Sequence, residues 1–245
     1  MNPAIYIPGQ STEANTQERR LYPNFGFAGG IVSAINSNYN ALQLTLQKRV
    51  SSGLSLLGNY TWSKGLNDFA PLGAYSSNTN PFDRAFDYGP SADDLTNVIK
   101  FSGVYQFPHA KFNGFAGRLI TGWSLSSILT WQGGFPFSVF SGYDNSFSAV
   151  GEDRADFTGA NIRDAELSPG RPHSQLINEW FNTSLFAPNQ VGTFGNIGKN
   201  FLRGPGLFNT DLALLKDTRI SERVSLQFRA EFFNAFNSVN FNNPD

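Results

Sequence analysis

Cysteine is absent and methionine occurs once in the 245 residues. No disulfide framework, thiolate metal site or thiol nucleophile can therefore be built from this chain. Histidine is nearly absent as well. His109 and His173 each follow a proline in a predicted turn or loop, and neither has the convergent partners of a metal site or a catalytic triad. Both read as exposed loop residues. Charge is scarce: Lys, Arg, Asp and Glu make up 15% of the chain, against roughly 25% in an ordinary soluble domain. The 18 basic and 19 acidic residues leave a net charge of -1, which removes any broad electrostatic case for nucleic acid or an anionic membrane surface. No stretch approaches the roughly 18–20 apolar residues of a transmembrane helix. The start, Met1-Asn2-Pro3-Ala4, has neither the basic residues nor the apolar core of a signal peptide. Gly204-Pro205-Gly206 is a turn without the spacing of a phosphate loop, and nucleophile elbows and dinucleotide fingerprints are missing. No enzyme and no cofactor is expected.

What is abundant is aromatic and turn-forming. Aromatics make up 15%, with 24 Phe, and Asn, Gly and Pro together account for about a quarter of the chain. Period-2 alternation dominates and helical periodicity is almost lacking. Tyr39 to Val50 sets Leu42, Leu44 and Leu46 against Gln43, Thr45 and Gln47. After Ser51-Ser52-Gly53 a return strand sets Leu54, Leu56, Gly58, Tyr60 and Trp62 against Ser55, Asn59, Thr61 and Ser63. A third strand covers Val98 to Phe107. A turn around Pro108 to Gly117 leads to a fourth, which carries Trp123, Leu125, Leu129 and Trp131 on one face. The fifth runs near Phe208 to Lys216, with a turn around Thr218 to Glu222. The sixth sets Val224, Leu226, Phe228, Ala230 and Phe232 against Ser225, Gln227, Arg229 and Glu231. The fold class is all-β.

The connections alternate between short and long. Strands one and two, three and four, and five and six are joined by short turns; residues 64–97 and 134–207 form two long loops. Long structureless connections are unusual inside a compact domain, but here both fall at one end of the sheet. Short turns on one side, long loops on the other, and strands with one apolar and one polar face describe an outer-membrane β-barrel. A soluble β-sandwich, the carbohydrate-binding kind that uses loop aromatics, has strands that alternate in the same way. Two features favour the barrel. The polar faces are mostly Ser, Thr, Gln and Asn, where a solvated face carries more charge. Tyr60, Trp62 and Trp131 stand at strand ends near the long loops, with Tyr105 and Phe107 near a short turn, as interfacial aromatic girdles do.

A further pattern lies in the last third. Trp180-Phe181-Asn182-Thr183 leads to Gly192-Thr193-Phe194-Gly195-Asn196 and Asn200-Phe201-Leu202-Arg203-Gly204-Pro205-Gly206. Asn209-Thr210-Asp211-Leu212 and Leu226-Gln227-Phe228-Arg229-Ala230-Glu231-Phe232-Phe233-Asn234 follow. Upstream stand Tyr6-Ile7-Pro8-Gly9, Ser37-Asn38-Tyr39-Asn40-Ala41-Leu42-Gln43, Asn59-Tyr60-Thr61-Trp62-Ser63-Lys64 and Gly134-Phe135-Pro136-Phe137. As an ordered set these blocks resemble the C-terminal barrel region of the Oar-like TonB-dependent transporters. Leu95-Thr96-Asn97 departs from the pattern, since the family tends to carry a basic His/Arg pair there.

The resemblance implies an antiparallel up-and-down meander of about six strands, part of a roughly 22-stranded transmembrane β-barrel. It implies a fragment, with residues 1–38 an extracellular loop segment and 39–245 partial barrel, in the cell outer membrane of a Gram-negative bacterium. The expected partners are outer-membrane lipid, an unknown substrate, and TonB through the N-terminal plug region of the intact protein, with no nucleic acid. A passive channel or a surface adhesin on a similar barrel is the alternative. Gln43, Gln47, Gln227, Arg229 and Glu231 are the candidate lumen-facing residues, on the polar faces of the first and last strands.

Two other groups invite chemistry. Asp87, Asp93 and Asp94, then Glu152, Asp153 and Asp156, lie in the long loops and could offer oxygen ligands to Ca²⁺. Their spacing matches no Ca²⁺ loop, so they read as solvated loop charge. Asn59-Tyr60-Thr61 and Asn182-Thr183-Ser184 match a glycosylation sequon, a motif with many false positives, and Asn59 falls inside a strand.

Overall fold

The computed structural model describes residues 2–26, 28, 33–69, 78–108 and 114–244. In chain order the elements are β1 (Ser37–Ser51), β2 (Leu54–Asn67), β3 (Gly89–Pro90), β4 (Asn97–Gln106), α1 (Gly114–Ile120), β5 (Trp123–Gln132), β6 (Pro136–Phe137), β7 (Asp156–Phe157), α2 (His173–Asn178), β8 (Phe186–Ala187), β9 (Leu202–Arg203), β10 (Leu207–Arg219) and β11 (Ser225–Phe232). The long strands form one antiparallel meander in the order β1-β2-β4-β5-β10-β11, with β3 added beside the end of β2.

The turns explain the register. Ser52 and Gly53 both take positive φ, 51° and 78°, the two-residue hairpin geometry whose twist matches the flanking strands. Adjacent turns are stitched together: Gln106 N–H donates to the Gly53 carbonyl at 2.7 Å, and Asp217 N–H to the Gly122 carbonyl at 2.9 Å. A Cβ at Gly53 would lie 2.4 Å from the Gln106 carbonyl oxygen, and one at Gly122 2.3 Å from that of Asp217. Both contacts require glycine. They also place the β1–β2, β4–β5 and β10–β11 turns at one end of the sheet.

Pairing carries the two faces across the strands. Leu44 faces Tyr60, Tyr60 faces Ile99, Ile99 faces Trp131 and Trp131 faces Phe208, so one row of the apolar face is largely aromatic towards the loop end. Towards the turn end Trp123 pairs with Lys216 and Lys216 with Phe228. Between these rows the Phe101 ring lies over two glycines. A Cβ would meet it at 3.6 Å from Gly58 and 3.4 Å from Gly103.

Among the described residues no second sheet packs on the apolar face, and Leu46 remains 70% and Phe228 56% exposed. A β-sandwich would cover those side chains with a second sheet. Among the described residues, β1 and β11 each pair on one side only. The molecule is thus an open segment of barrel wall.

Most of the buried side chains lie elsewhere. Ala4, Ala155, Ala165, Ile197 and Leu202, together with Asn2, Arg19, Asp87, Asp153, Arg154 and Lys199, are buried in a cap at the loop end. The two long loops and residues 2–26 build this cap together. Ala4 N–H donates to the Ser148 carbonyl at 2.8 Å, and Tyr6 stacks on Phe147 at 6.2 Å. Short pairings β6–β9 and β7–β8 and a cluster of Phe137, Phe157, Phe181, Phe186 and Phe201 organise the second loop.

Several expectations shift. The second strand runs on to Asn67, because β1 pairs with it as far as Ser37↔Asn67, so the first long loop starts at 68. The loop at 133–206 is folded, where a structureless connection was expected. The β4–β5 connection contains α1, where a plain turn was expected; part of that connection, with His109, lies outside the described residues. The last hairpin turn falls at 220–224, with Ile220 N–H donating to the Val224 carbonyl at 3.0 Å.

Candidate functional site

Cross-strand register decides which side chains share a surface. Gln43 pairs with Thr61, Thr61 with Val98, Val98 with Gln132 and Gln132 with Leu207. Along β10 the alternate residues Ala213, Leu215 and Asp217 face Glu231, Arg229 and Gln227. Since side chains alternate strictly along a strand, Gln43, Gln47, Gln227, Arg229 and Glu231 all lie on one face, opposite Leu44, Phe101, Leu129 and Phe228. All five are exposed. The first two sit at one edge of the sheet and the other three at the opposite edge, so they share a surface without forming one cluster. Arg229 pairs with Glu231 at 2.6 Å, and the Gln227 amide donates to Asp217 Oδ1 at 2.8 Å. Asn59 lies on this same face and accepts from the Thr45 hydroxyl at 2.9 Å.

The cap above holds the charges that sequence reading assigned to solvent. Asp87, Asp94 and Asp153 are buried. Arg154 reaches from one long loop into the other, donating from Nη1 to Asp87 Oδ1 at 2.9 Å and from Nη2 to the Phe86 carbonyl at 2.7 Å. Its guanidinium also lies 3.9 Å from the Phe86 ring centroid. Arg203 ties the loops a second time, pairing with Asp94, whose other oxygen accepts from Gly65 N–H at 2.6 Å. Lys199 donates to the Asn67 carbonyl at 2.7 Å and the Phe69 carbonyl at 2.8 Å, joining the second loop to the end of β2. Asp153 accepts from Ser146 N–H at 2.7 Å and the Asn189 amide at 3.0 Å. Asp93 and Glu152 are exposed, as expected, and Asp156 is half-buried.

The cap is polar inside for a physical reason. Irregular backbone leaves carbonyls and N–H groups without ladder partners, and buried ones must be satisfied by side chains. Arg19 illustrates this with Nη1, which donates to the Ile5 carbonyl at 2.7 Å and the Phe147 carbonyl at 3.1 Å. The amide of Asn2 does the same for Tyr22 at 2.9 Å and Phe25 at 2.8 Å.

Burial shifts the ionisation of the enclosed groups. It pushes the Asp153 carboxyl up, with the neighbouring Asp144 charge adding to the effect and hydrogen bonds from Ser146 and Asn189 opposing it. It pushes Arg154 down, partly offset by Asp87. Lys199 is lowered to about 8, mainly by burial, while Asp87 and Asp68 oppose the shift and Arg154 adds to it.

Among the described residues no group of three or more His, Asp or Glu could hold a metal ion. His173 starts α2, exposed and edge-on to Phe241 at 5.9 Å. Asn182 caps a single turn at Thr183–Leu185, accepting from the Ser184 hydroxyl at 2.6 Å.

The two-faced sheet, the short turns at one end and the folded loops at the other agree with a comparison against known families. The family described as "Outer membrane beta barrel domain" matches residues 1–245. Searches of curated proteins and of solved structures find no match.

Proposed function

The chain belongs to the outer membrane beta barrel domain family, and from that premise we propose that it forms part of the wall and the substrate-capture loops of a TonB-dependent transporter of the Oar-like kind. Membership assigns it to the outer membrane of a Gram-negative bacterium, with lipid against the apolar face. The observation that carries the finer reading is the cap. Two long loops tied by the buried ion pair Arg154–Asp87 and by the partly exposed pair Arg203–Asp94 make a rigid platform, and binding groups sit on loops held by rigid scaffolds. The open edges of β1 and β11 suit a larger barrel of about 22 strands around a plug.

In this reading Gln43, Gln47, Gln227, Arg229 and Glu231 line the wet lumen, and substrate meets the cap before it meets the plug. TonB would act through the plug region of the intact protein. Planar-bilayer recordings on the protein purified from its native outer membrane test the proposal. A plugged transporter gives no steady conductance until urea extracts the plug. Stable open conductance without denaturant would overturn the reading in favour of a passive channel.

A further inference from the structure

The near-zero net charge conceals a separation of charge along the strands. At the turn end, Lys48, Arg49, Arg118, Lys216, Arg219 and Arg223 stand against only Asp217 and Glu222 among the described residues. Among the described residues none of these cations joins an ion pair there: the pairs are Arg84–Asp68, Arg154–Asp87, Arg203–Asp94 and Arg229–Glu231. Asp217 is already engaged by Gln227.

Lys216, on the apolar face, folds beneath α1 and organises the rim. Its ammonium donates to the Arg118 carbonyl at 2.8 Å and to the Thr121 carbonyl, capping the C-terminal end of α1, and lies 5.8 Å from the Trp123 ring centroid. The Trp123 indole N–H donates to the Leu119 carbonyl at 2.9 Å. Two side chains of the apolar face thus pin α1 beside the sheet. Pinned there, α1 presents Arg118 next to Leu119 and Ile120, which are 56% and 51% exposed. The adjoining β10–β11 turn repeats the combination, with Ile220 and Val224 exposed beside Arg219 and Arg223.

Unpaired cations interleaved with bare aliphatic groups, beside a tryptophan at the edge of the lipid-facing surface, suit a charged membrane interface. The aliphatic groups enter the acyl boundary while the cations meet phosphate. An acidic protein would account for the cations but leave the aliphatic groups unmatched. Short turns of outer-membrane barrels face the periplasm. We propose that the turn end binds anionic phospholipid headgroups of the periplasmic leaflet, centred on Arg118, Arg219 and Arg223. This rests on family membership and strand direction and is independent of the transporter reading.

The test uses the full chain, produced in outer membranes and extracted in zwitterionic detergent. It is titrated separately with phosphatidylglycerol and with phosphatidylcholine, and retained lipid is counted by native mass spectrometry. Phosphatidylglycerol is retained in preference. Substituting Arg118→Gln, Arg219→Gln and Arg223→Gln together weakens its retention by about fivefold per cation, roughly a hundredfold in all. Arg163→Gln with Arg171→Gln, at the loop end, leaves it unchanged. Equal retention of both lipids by the unsubstituted chain overturns the proposal, as does undiminished phosphatidylglycerol binding by the triple variant. Co-purification of an acidic protein without lipid preference also overturns it. Where the triple variant gives no heat-modifiable band, Arg223→Gln alone decides, because its side chain lies in an exposed turn: an undiminished affinity there refutes the assignment.

Discussion

Replacing Arg154 by methionine removes the guanidinium and keeps much of the side-chain volume. The side chains of Arg154 and Asp87 are 1% and 0% exposed, so solvent cannot screen what is left. Asp87 would keep a buried carboxylate facing an apolar neighbour, and breaking a buried pair on one side costs about 3–5 kcal/mol. Loss of the stacking over Phe86 adds about 0.5–2 kcal/mol, the range of cation–π contacts. The β-ladder stays intact, so the cost falls on local opening of the cap. The combined shift of about 3.5–7 kcal/mol raises the opening equilibrium roughly 10²·⁵ to 10⁵-fold. Limited proteolysis of the detergent-solubilised protein reads this directly as faster cleavage within 84–90 and 150–158, with the heat-modifiable band retained. The double variant Asp87→Asn with Arg154→Met should recover most of the protection, because the stranded charge is gone. Cleavage of Arg154→Met at the original rate would refute the reasoning. So would a double variant that opens further than the single one.

Three more tests address other parts of the molecule. Lys199 titrates near 8 in the folded cap against an ordinary 10.5, so between those values the opened state binds more protons; cap protection should rise with pH through that window, and Lys199→Met should lose the slope in hydrogen exchange. Leu129→Arg, on the apolar face, should cost about 2–4 kcal/mol in refolding titrations into phospholipid vesicles, while Thr130→Arg next to it costs little; equal costs would refute the face assignment. Gly122→Ala places a methyl 2.3 Å from the Asp217 carbonyl at φ 81° and should lower the urea midpoint, with strain of about 1–3 kcal/mol plus the lost turn contact.

The wall was legible in the sequence because lipid and water impose a period of two. Trp123 to Gln132 is the fourth strand in both readings, and the alternation of β11 predicted the shared face of Gln227, Arg229 and Glu231. Legibility ends where those solvents end. Lys64 to Asn67 continue β2 beyond the alternating stretch, with Gly65 buried against Asp94, and no periodicity marks such residues. The helix α1 carries two glycines, Gly114 and Gly117, poor helix formers that conceal it. The ion pairs of the cap join residues 67 and 109 positions apart, beyond the reach of any local motif.

The placement of polar groups inside the cap has a thermodynamic consequence. Exposing apolar surface raises the heat capacity of unfolding, and exposing polar surface lowers it. Opening confined to the ion pairs, short of the Phe cluster, exposes Asp87, Arg154, Asp153 and Lys199 beside the small Ala155, so its heat-capacity change should be small. The free energy of opening should then vary almost linearly with temperature, with little weakening on cooling. A surface platform built this way keeps its shape in cold water, where an apolar core would begin to loosen.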